Sequence, residues 1–301
     1  MMVPTFNALS GKGLPMKRSL FLFTLISLPV FAVSIKDIDV IYGEDNRQDV
    51  VNSHDALMVL ASKSTAAMMP AASLRSVGNS FEVLGQTLQS RGMCARERFS
   101  QQPSVALCSG FIVKNNLLVT AGHCIKDMTD CSSYKWIFDY KVATSNAKKV
   151  NVPKSSVYSC KAIIARTLNP VDQNDYAVIQ LDRKVTGRIP LGFRQEGKIT
   201  VNTAVVVIGH PSGLPTKIAD GAKVRKLSNR YFTANLDTYG GNSGSAVLNA
   251  KTGLVEGILV RGENDFVPDP QGSGCQVSNM CPSTGCRGED VTFITGVPKI
   301  K

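Results

Sequence analysis

A histidine, an aspartate and a serine are the residues of this chain that could do chemistry together. A serine hydroxyl is a poor nucleophile until an imidazole removes its proton, and a buried carboxylate must hold that imidazole in one tautomer. Such a site draws its residues from distant parts of a chain. The candidates here are His123, Asp175 and Ser243, in that order along the sequence.

His123 has the most distinctive surroundings of the three histidines in the chain. It follows an apolar run in the sequence TAGHC at residues 120–124, where small residues permit a tight turn that leaves the imidazole facing a cleft. His210 precedes a proline, as a structural turn residue would, and His54 lies in a polar stretch typical of a surface. His123 is therefore the candidate general base.

Ser243 lies in the run GGNSGS at residues 240–245. Glycines on both sides let backbone N–H groups converge on one point, as an oxyanion hole requires, and the donors would be those of Gly241 and Ser243. A run of this composition is also typical of a flexible linker. Because it lies between two strand-like runs, we favour the nucleophile.

Asp175 begins the apolar run DYAVIQL at residues 175–181. A carboxylate at the start of a strand can be buried and directed at the imidazole. Asp172 is the competing acid, but it lies in a turn after Pro170 and is expected to face solvent. We therefore assign the orienting role to Asp175.

Short apolar runs separated by turn residues must position these side chains, and they predict an all-β sandwich or barrel. The expected strands lie at residues 105–113, 117–120, 176–181, 204–208, 231–236, 245–248, 254–260 and 291–295. In contrast, residues 56–75 predict a helix that stops at Pro70. The polar stretch 182–190 predicts a boundary between two half-domains, and the Cys-rich segment 268–290 predicts a disulfide-stapled loop.

The first 32 residues have the pattern of an N-terminal extension and a signal peptide. A basic Met16-Lys17-Arg18 precedes the apolar run 19–32, and small residues predict cleavage after Ala32. The run is shorter than the roughly 20 residues that a spanning helix needs, so we expect no membrane span in the mature form. The chain is thus expected to be secreted or periplasmic, and the sequence does not distinguish between these two locations.

Eight cysteines and a net charge of +11 limit the other function classes. The cysteines lack the spacing of two matched CxxC knuckles, so we expect up to four disulfides and neither a metal nor a cofactor. The basic residues are scattered and not interleaved with aromatics, so no nucleic acid partner is expected.

With the three motifs in the order His, Asp, Ser, residues 100–262 resemble the trypsin-like (chymotrypsin-fold) serine peptidase superfamily. The run GGNSGS, and VIYGEDNR at residues 40–47, resemble the bacterial glutamyl-endopeptidase-like branch. The resemblance implies two perpendicular six-stranded antiparallel β-barrels with the active-site cleft between them. The first barrel, with the N-terminal segment, would occupy residues 40–187 and the second residues 188–301.

The resemblance also implies serine endopeptidase activity on protein or peptide substrates by a monomer, after loss of a short propeptide at residues 33–39. It implies the histidine-loop disulfide Cys108–Cys124. Cys131 and Cys160 are a further candidate pair, and the partners of the other four cysteines stay open.

The substrate-binding residues leave the cleavage preference open. Asp237 falls where the pocket carboxylate of trypsin lies, which favours Lys or Arg, although Arg261 could neutralise it. Thr238 matches a pocket threonine of the glutamate-selective branch, but Leu259 stands where that branch is expected to have a histidine. Leucine cannot donate a hydrogen bond to a carboxylate, so basic and apolar or broad preferences both rank above an acidic one.

Asn242 bears on how the site would be activated. In trypsin-like zymogens the residue before the nucleophile is an aspartate that pairs with a newly freed N-terminal amine. A neutral amide cannot form that ion pair. The site is therefore either preformed, or the release of Val40 acts through another contact.

Two other classes compete with the peptidase. A catalytically inactive protease-fold binding or adhesion module would usually lack a triad or oxyanion residue, and none is missing here. An esterase with a Gly-x-Ser-x-Gly elbow would carry its triad in the order serine, acid, histidine, the reverse of this chain.

Overall fold

The computed structural model of the protein describes residues 41–300, so the signal peptide expected over residues 1–32 and the propeptide over 33–39 lie outside the described residues. The strands are β1 (Ile41–Tyr42), β2 (Arg47–Asp49), β3 (Thr65–Pro70), β4 (Leu74–Val77), β5 (Ser80–Val83), β6 (Cys108–Lys114), β7 (Leu117–Thr120), β8 (Tyr134–Phe138), β9 (Asn151–Pro153), β10 (Val157–Leu168), β11 (Asp175–Leu181), β12 (Ala204–Gly209), β13 (Lys217–Leu227), β14 (Tyr231–Ala234), β15 (Ala246–Asn249), β16 (Val255–Arg261), β17 (Phe266–Pro268), β18 (Gln276–Ser278), β19 (Met280–Cys281) and β20 (Glu289–Phe293). The α-helices of the described residues are α1 (Ala56–Ser62) and α2 (Met128–Ser133). Each run that the sequence predicts to be extended contains a strand, so the all-β prediction is confirmed.

Six strands close the first barrel in the order β3–β6–β7–β11–β10–β8, and all neighbours are antiparallel. Large buried side chains such as Phe111, Trp136 and Phe138 fill its interior. The end of β7 pairs with the start of β11, with Thr120 opposite Ala177. Because His123 follows β7 and Asp175 begins β11, this pairing brings the two residues to one end of the barrel.

Six further strands close the second barrel in the order β12–β15–β16–β20–β14–β13, with β13 pairing back onto β12. Ser243 lies in the segment between β14 and β15. The fold is therefore all-β, with two six-stranded antiparallel barrels, as expected. The N-terminal residues also belong to this half, because β2 adds to the outer side of β13 and β1 pairs with β19.

The two barrels pack against each other through alternate residues of shared strands. In β12, Val205 and Val207 point into the core of the second barrel. Val206 and Ile208 instead join the cluster that fills the first barrel. Successive side chains of a strand point to opposite faces, so one strand serves both cores.

The helix expected over residues 56–75 is wrong in its second half. Asp55 caps α1 by accepting hydrogen bonds from the N–H groups of Leu57 and Met58. The helix ends at Ser62, and Thr65–Pro70 is a strand between β6 and β8. The Ala and Met residues that favour a helix locally gain backbone pairing and complete burial as a barrel strand, so tertiary context overrides their propensity.

Four disulfides link the described chain: Cys94–Cys275, Cys108–Cys124, Cys131–Cys160 and Cys281–Cys286. Cys281–Cys286 lies within the Cys-rich segment 268–290, and Cys94–Cys275 links this segment to the first half of the chain. The segment folds as short strands and turns. Among residues 41–300, the structure has no helix with the length and apolar character to cross a membrane.

Candidate active site

Asp175 holds both the ring and the backbone of His123. Its side chain is buried, and Oδ2 lies 2.7 Å from Nδ1 of His123. The other carboxylate oxygen accepts hydrogen bonds from the N–H groups of Gly122, at 2.6 Å, and His123, at 3.2 Å. With Asp175 ionised, Nδ1 carries the proton and Nε2 is left as the acceptor.

The turn before His123 needs glycine because it passes close to two other strands. A Cβ at Gly122 would lie 2.0 Å from the carbonyl oxygen of Thr167 and 2.8 Å from that of Tyr176. Arg166 in β10 fastens the same turn, since its Nε donates to the carbonyl oxygens of Gly122 and Ile125. The glycine of the TAGHC sequence is thus required because the turn passes so close to β10 and β11.

The backbone of Ser243 contacts the first barrel beside the histidine turn. Its carbonyl oxygen accepts a hydrogen bond of 2.8 Å from the N–H of Ser109 and lies 3.7 Å from Sγ of Cys124, the residue after His123. A Cβ at Gly244 would lie 2.1 Å from the Ser109 carbonyl oxygen. The serine and histidine segments therefore meet at the Cys108–Cys124 disulfide.

The peptide planes before Gly241 and Ser243 are fixed from their carbonyl sides. The Gly240 carbonyl accepts from the N–H of Ser212 at 2.6 Å, and the Asn242 carbonyl accepts from the N–H of Ser245 at 2.8 Å. In a trans peptide the N–H points away from the carbonyl. Within the described part of the chain, the N–H groups of Gly241 and Ser243 have no acceptor, so both can bind a ligand oxygen.

Asn242 stabilises this loop through neutral hydrogen bonds. Its buried side-chain oxygen accepts from the Ser245 hydroxyl, and its N–H donates to the carbonyl of Tyr239 at 2.9 Å. Ser109, a residue that sequence reasoning missed, donates its hydroxyl to the Gly241 carbonyl at 2.8 Å and accepts from the N–H of His210. The sequence signal that could have indicated this role is the polar residue that follows Cys108.

His210 and Asp172, the alternatives to the catalytic candidates His123 and Asp175, have other partners. Nδ1 of His210 lies 3.0 Å from the carbonyl oxygen of Leu214. Complete burial lowers the pKa of His210 to about 3, so its imidazole is neutral. Asp172 forms an ion pair with Arg230 at 3.4 Å.

Two of the expected substrate-binding residues lie on β16. Arg261 lines a pocket of about 550 Å³ together with His123, Leu168 and Val260. Its charge faces Asp290 at 3.3 Å, and a second nitrogen donates to the Gln173 carbonyl. Leu259 is buried in the core of the second barrel. Its backbone pairs with residues 237–245, the serine loop: the Leu259 carbonyl accepts from the N–H of Gly244, and the Leu259 N–H donates to the carbonyl of Ser245.

The other two, Asp237 and Thr238, lie at the base of the serine loop. Both oxygens of Asp237 accept backbone hydrogen bonds from the N-terminal segment, from Tyr42 and Asn46, each at 2.8 Å. Burial raises the pKa of Asp237 to about 6. The Thr238 hydroxyl donates to Glu289 at 2.8 Å, an acid that sequence reasoning missed because it lies far along the chain in β20.

Metal ligation by the residues near His123 is chemically disfavoured. His123 lies within reach of the sulfurs of Cys108 and Cys124, which would otherwise suggest a ligand cluster. These two cysteines form a disulfide and offer no thiolate.

The double-barrel architecture is shared with a solved protease structure. The chain is similar to the Vibrio cholerae VesB protease, with 14% identity, a TM-score of 0.51 and coverage of 83% of this chain and 64% of that one. It is also similar to a Glu endopeptidase in complex with MPD, with 18% identity, a TM-score of 0.46 and coverage of 81% and 94% respectively. No curated protein sequence matches the chain.

Residues 108–258 match the family profile of the trypsin-like peptidase domain, which covers half of the chain. The chain belongs to this family.

Proposed function

We propose that the protein is an exported serine endopeptidase in which His123, Asp175 and Ser243 form the catalytic triad. Nε2 of His123 takes the hydroxyl proton of Ser243 as Oγ attacks the scissile carbonyl carbon. The carbonyl electron pair moves onto oxygen, where the N–H groups of Gly241 and Ser243 donate to it. The C–N bond then breaks, and His123 gives its proton to the leaving amine. Water, deprotonated by His123, hydrolyses the acyl-enzyme and restores the serine.

The observation that carries this proposal is the threefold contact of Asp175 with the Gly122 N–H, the His123 N–H and the His123 ring. Such a buried carboxylate selects the tautomer that a general base needs. Among residues 41–300, the N–H groups of Gly241 and Ser243 have no acceptor, which supports the same chemistry. The family supports a peptidase over an esterase.

A fluorophosphonate probe tests the nucleophile. We expect it to label the wild type at Ser243, to label neither Ser243→Ala nor His123→Ala, and to label Ser132→Ala like the wild type. Ser132 is an exposed serine in α2 and serves as the matched control. Casein digestion with little hydrolysis of lipid esters would separate a peptidase from an esterase. A folded wild type that is not labelled would contradict the proposal and favour a binding module.

We also propose that the chain is exported, with cleavage after Ala32 and a short propeptide at residues 33–39. The four disulfides support this, because disulfides persist in oxidising compartments. N-terminal sequencing of protein from the periplasm and the medium tests it, with Val33 or Val40 expected as the first residue. Recovery of an active, reduced chain from the cytosol would contradict export.

A further inference from the structure

The peptide between Gly240 and Gly241 carries one of the two expected oxyanion donors and has little local restraint. Glycines stand on both sides of it, and glycine rotates about its backbone bonds more freely than any other residue. Gly240 is exposed, and Gly241 lines a cavity of about 550 Å³, so packing does not hold this peptide from the cleft side. Rotating the peptide would turn the Gly240 carbonyl into the cleft in place of the Gly241 N–H. A hydrogen bond to that carbonyl is therefore needed to fix the donor.

Ser212 supplies this hydrogen bond from an unfavourable backbone conformation. Its N–H donates to the Gly240 carbonyl at 2.6 Å. Its φ of 51° lies in the left-handed region, which residues other than glycine adopt at a cost in free energy. Within the part of the chain that the structure describes, the Ser212 hydroxyl has no hydrogen-bond partner, so the side chain does not hold this conformation. Neighbouring residues must hold the backbone of Ser212 instead.

Ser104 and Arg91 hold Ser212 through its carbonyl oxygen. The buried Ser104 hydroxyl donates a hydrogen bond to this oxygen. A guanidinium group has donors only, so Oγ of Ser104 accepts from Nη1 of Arg91, and its single proton is left for the Ser212 carbonyl. The same Nη1 lies 3.4 Å from that carbonyl oxygen. Arg91 thus fixes the direction in which the Ser104 hydroxyl donates.

The segment that carries Arg91 and Ser104, between β5 and β6, is anchored against the turn that contains Ser212. Leu88 packs with Leu214, the residue that ends this turn, in a small buried apolar cluster. The N–H groups of Val105 and Ala106 both donate to the Gly213 carbonyl, at 2.8 and 3.1 Å. These contacts keep the Ser104 hydroxyl at a fixed position relative to Ser212.

We propose that Ser104, oriented by Arg91, is a positioning residue for the oxyanion hole. It holds the backbone of Ser212, and the Ser212 N–H holds the Gly240 carbonyl, so that the Gly241 N–H faces the substrate oxygen. This inference rests on the proposed function and deepens it. Because the donor matters most when negative charge develops on that oxygen, loss of Ser104 should act on kcat more than on KM.

Steady-state kinetics of Ser104→Ala, with a peptide that the wild type cleaves, tests the inference. We expect kcat to fall on the order of tenfold while KM changes by less than about threefold. Removing an oxyanion donor outright costs roughly 100-fold or more, and a donor that is misdirected for part of the time should cost less. Ser100→Ala is the matched control, because Ser100 is a buried serine of the same segment whose hydroxyl donates to the Ala95 carbonyl. This control should keep kcat within about twofold of the wild type.

Variants of Arg91 provide a second test that does not depend on the folding of Ser104→Ala, because the Arg91 side chain is exposed. Arg91→Met removes the donor that orients the Ser104 hydroxyl, and it should lower kcat by roughly three- to tenfold. Arg91→Lys keeps a cationic donor and should restore most of this loss.

Inhibition by a peptide aldehyde separates a misplaced oxyanion donor from a general loss of structure. The aldehyde carbon bonds to Oγ of Ser243 and its oxygen takes the oxyanion position, whereas the corresponding peptide alcohol cannot form this adduct. Ser104→Ala should weaken inhibition by the aldehyde on the order of tenfold and change inhibition by the alcohol by less than about twofold.

An active wild type whose folded Ser104→Ala variant keeps its kcat would overturn this inference and leave the proposed function intact. If that variant does not fold, an unchanged kcat in Arg91→Met would overturn it. Equal losses of kcat in Ser104→Ala and Ser100→Ala, or equal weakening of the aldehyde and the alcohol, would do the same. A folded wild type that is neither labelled by the fluorophosphonate probe nor active would overturn both proposals.

Discussion

The two sides of the candidate active site are held by different parts of the molecule. Asp175 and His123 are fixed by contacts within the first barrel, from the turn at Gly122 and from Arg166. The serine loop is fixed by residues that are remote in sequence, including Asp265, whose carboxylate accepts from the N–H of Gly240. The contacts that hold Asp175 and His123 thus come from one barrel, whereas those that hold the serine loop come from several distant segments.

The N-terminal segment provides the most remote of these contacts. Arg47 is fully buried in β2, with its guanidinium 4.3 Å from the centre of the Tyr239 ring and a two-point hydrogen bond to Asp45. Nearby, Lys217 and Asp49 form a second buried ion pair at 2.7 Å. Buried pairs are costly to break, so this segment is an integral support of the serine loop.

The largest expected effect is on the histidine side. Asp175→Asn should keep the fold but lower kcat by roughly 10³- to 10⁴-fold, because an amide favours the wrong imidazole tautomer. Steady-state kinetics with one peptide, and a melting curve to verify folding, measure this. Asp172→Asn is the control and should stay near wild-type activity. Equal losses in the two variants would contradict our choice of acid.

Arg47→Met tests the serine side. The substitution leaves Asp45 buried without its partner and removes the cation over Tyr239, so stability should fall by about 3 kcal/mol. Because the displaced loop carries the oxyanion donors, kcat should fall by roughly 10- to 100-fold, with a smaller change in KM.

Arg98→Ala is the control for Arg47→Met. Arg98 also contacts Asp45, at 3.0 Å, but its side chain is 46% exposed. Its loss should therefore change kcat by less than about threefold. If Arg47→Met lost stability but kept its full kcat, the N-terminal segment would support the fold without positioning the loop.

The difference between local contacts and contacts with distant segments also determines which features the sequence could predict. The strand that carries Asp175 and the turn of His123 are local patterns, and both were placed within a residue or two. The roles of Arg47 and Glu289 depend on pairings with segments about 190 and 50 residues away, which no local pattern encodes. The strand Thr65–Pro70 was missed for the same reason, since its burial between β6 and β8 is a tertiary effect.

The buried acid Glu289 should make the stability of the folded chain depend on pH. Glu289 keeps its proton up to about pH 8 in the folded chain, whereas an unfolded glutamate loses it near pH 4.5. The folded state therefore binds more protons in this window, and stability should fall as pH rises through it, by at most about 1.4 kcal/mol per unit.

Comparing thermal unfolding of the wild type and Glu289→Gln from pH 5 to 9 isolates this effect. The titratable groups around Glu289, namely Asp265, Glu263, Arg287 and the hydroxyl of Tyr42, are the same in both proteins. The variant should gain in relative stability up to about pH 8 and then stay level. Parallel curves would mean that Glu289 is ionised throughout, with a counter-charge from elsewhere.

The smallest expected effect lies where the two sides meet. The hydroxyl of Ser109 in β6 donates to the Gly241 carbonyl and accepts from the N–H of His210, so Ser109→Ala leaves a half-buried carbonyl and a buried N–H unpaired. We expect a loss of about 1–2 kcal/mol in stability and of roughly three- to tenfold in kcat. Ser62 is a buried serine at the end of α1, and Ser62→Ala serves as the control: it should lower stability without changing kcat. A loss of kcat in Ser109→Ala as large as that in Arg47→Met would show that the barrel contact positions the loop as strongly as the N-terminal segment does, and the contrast between the two sides would then disappear.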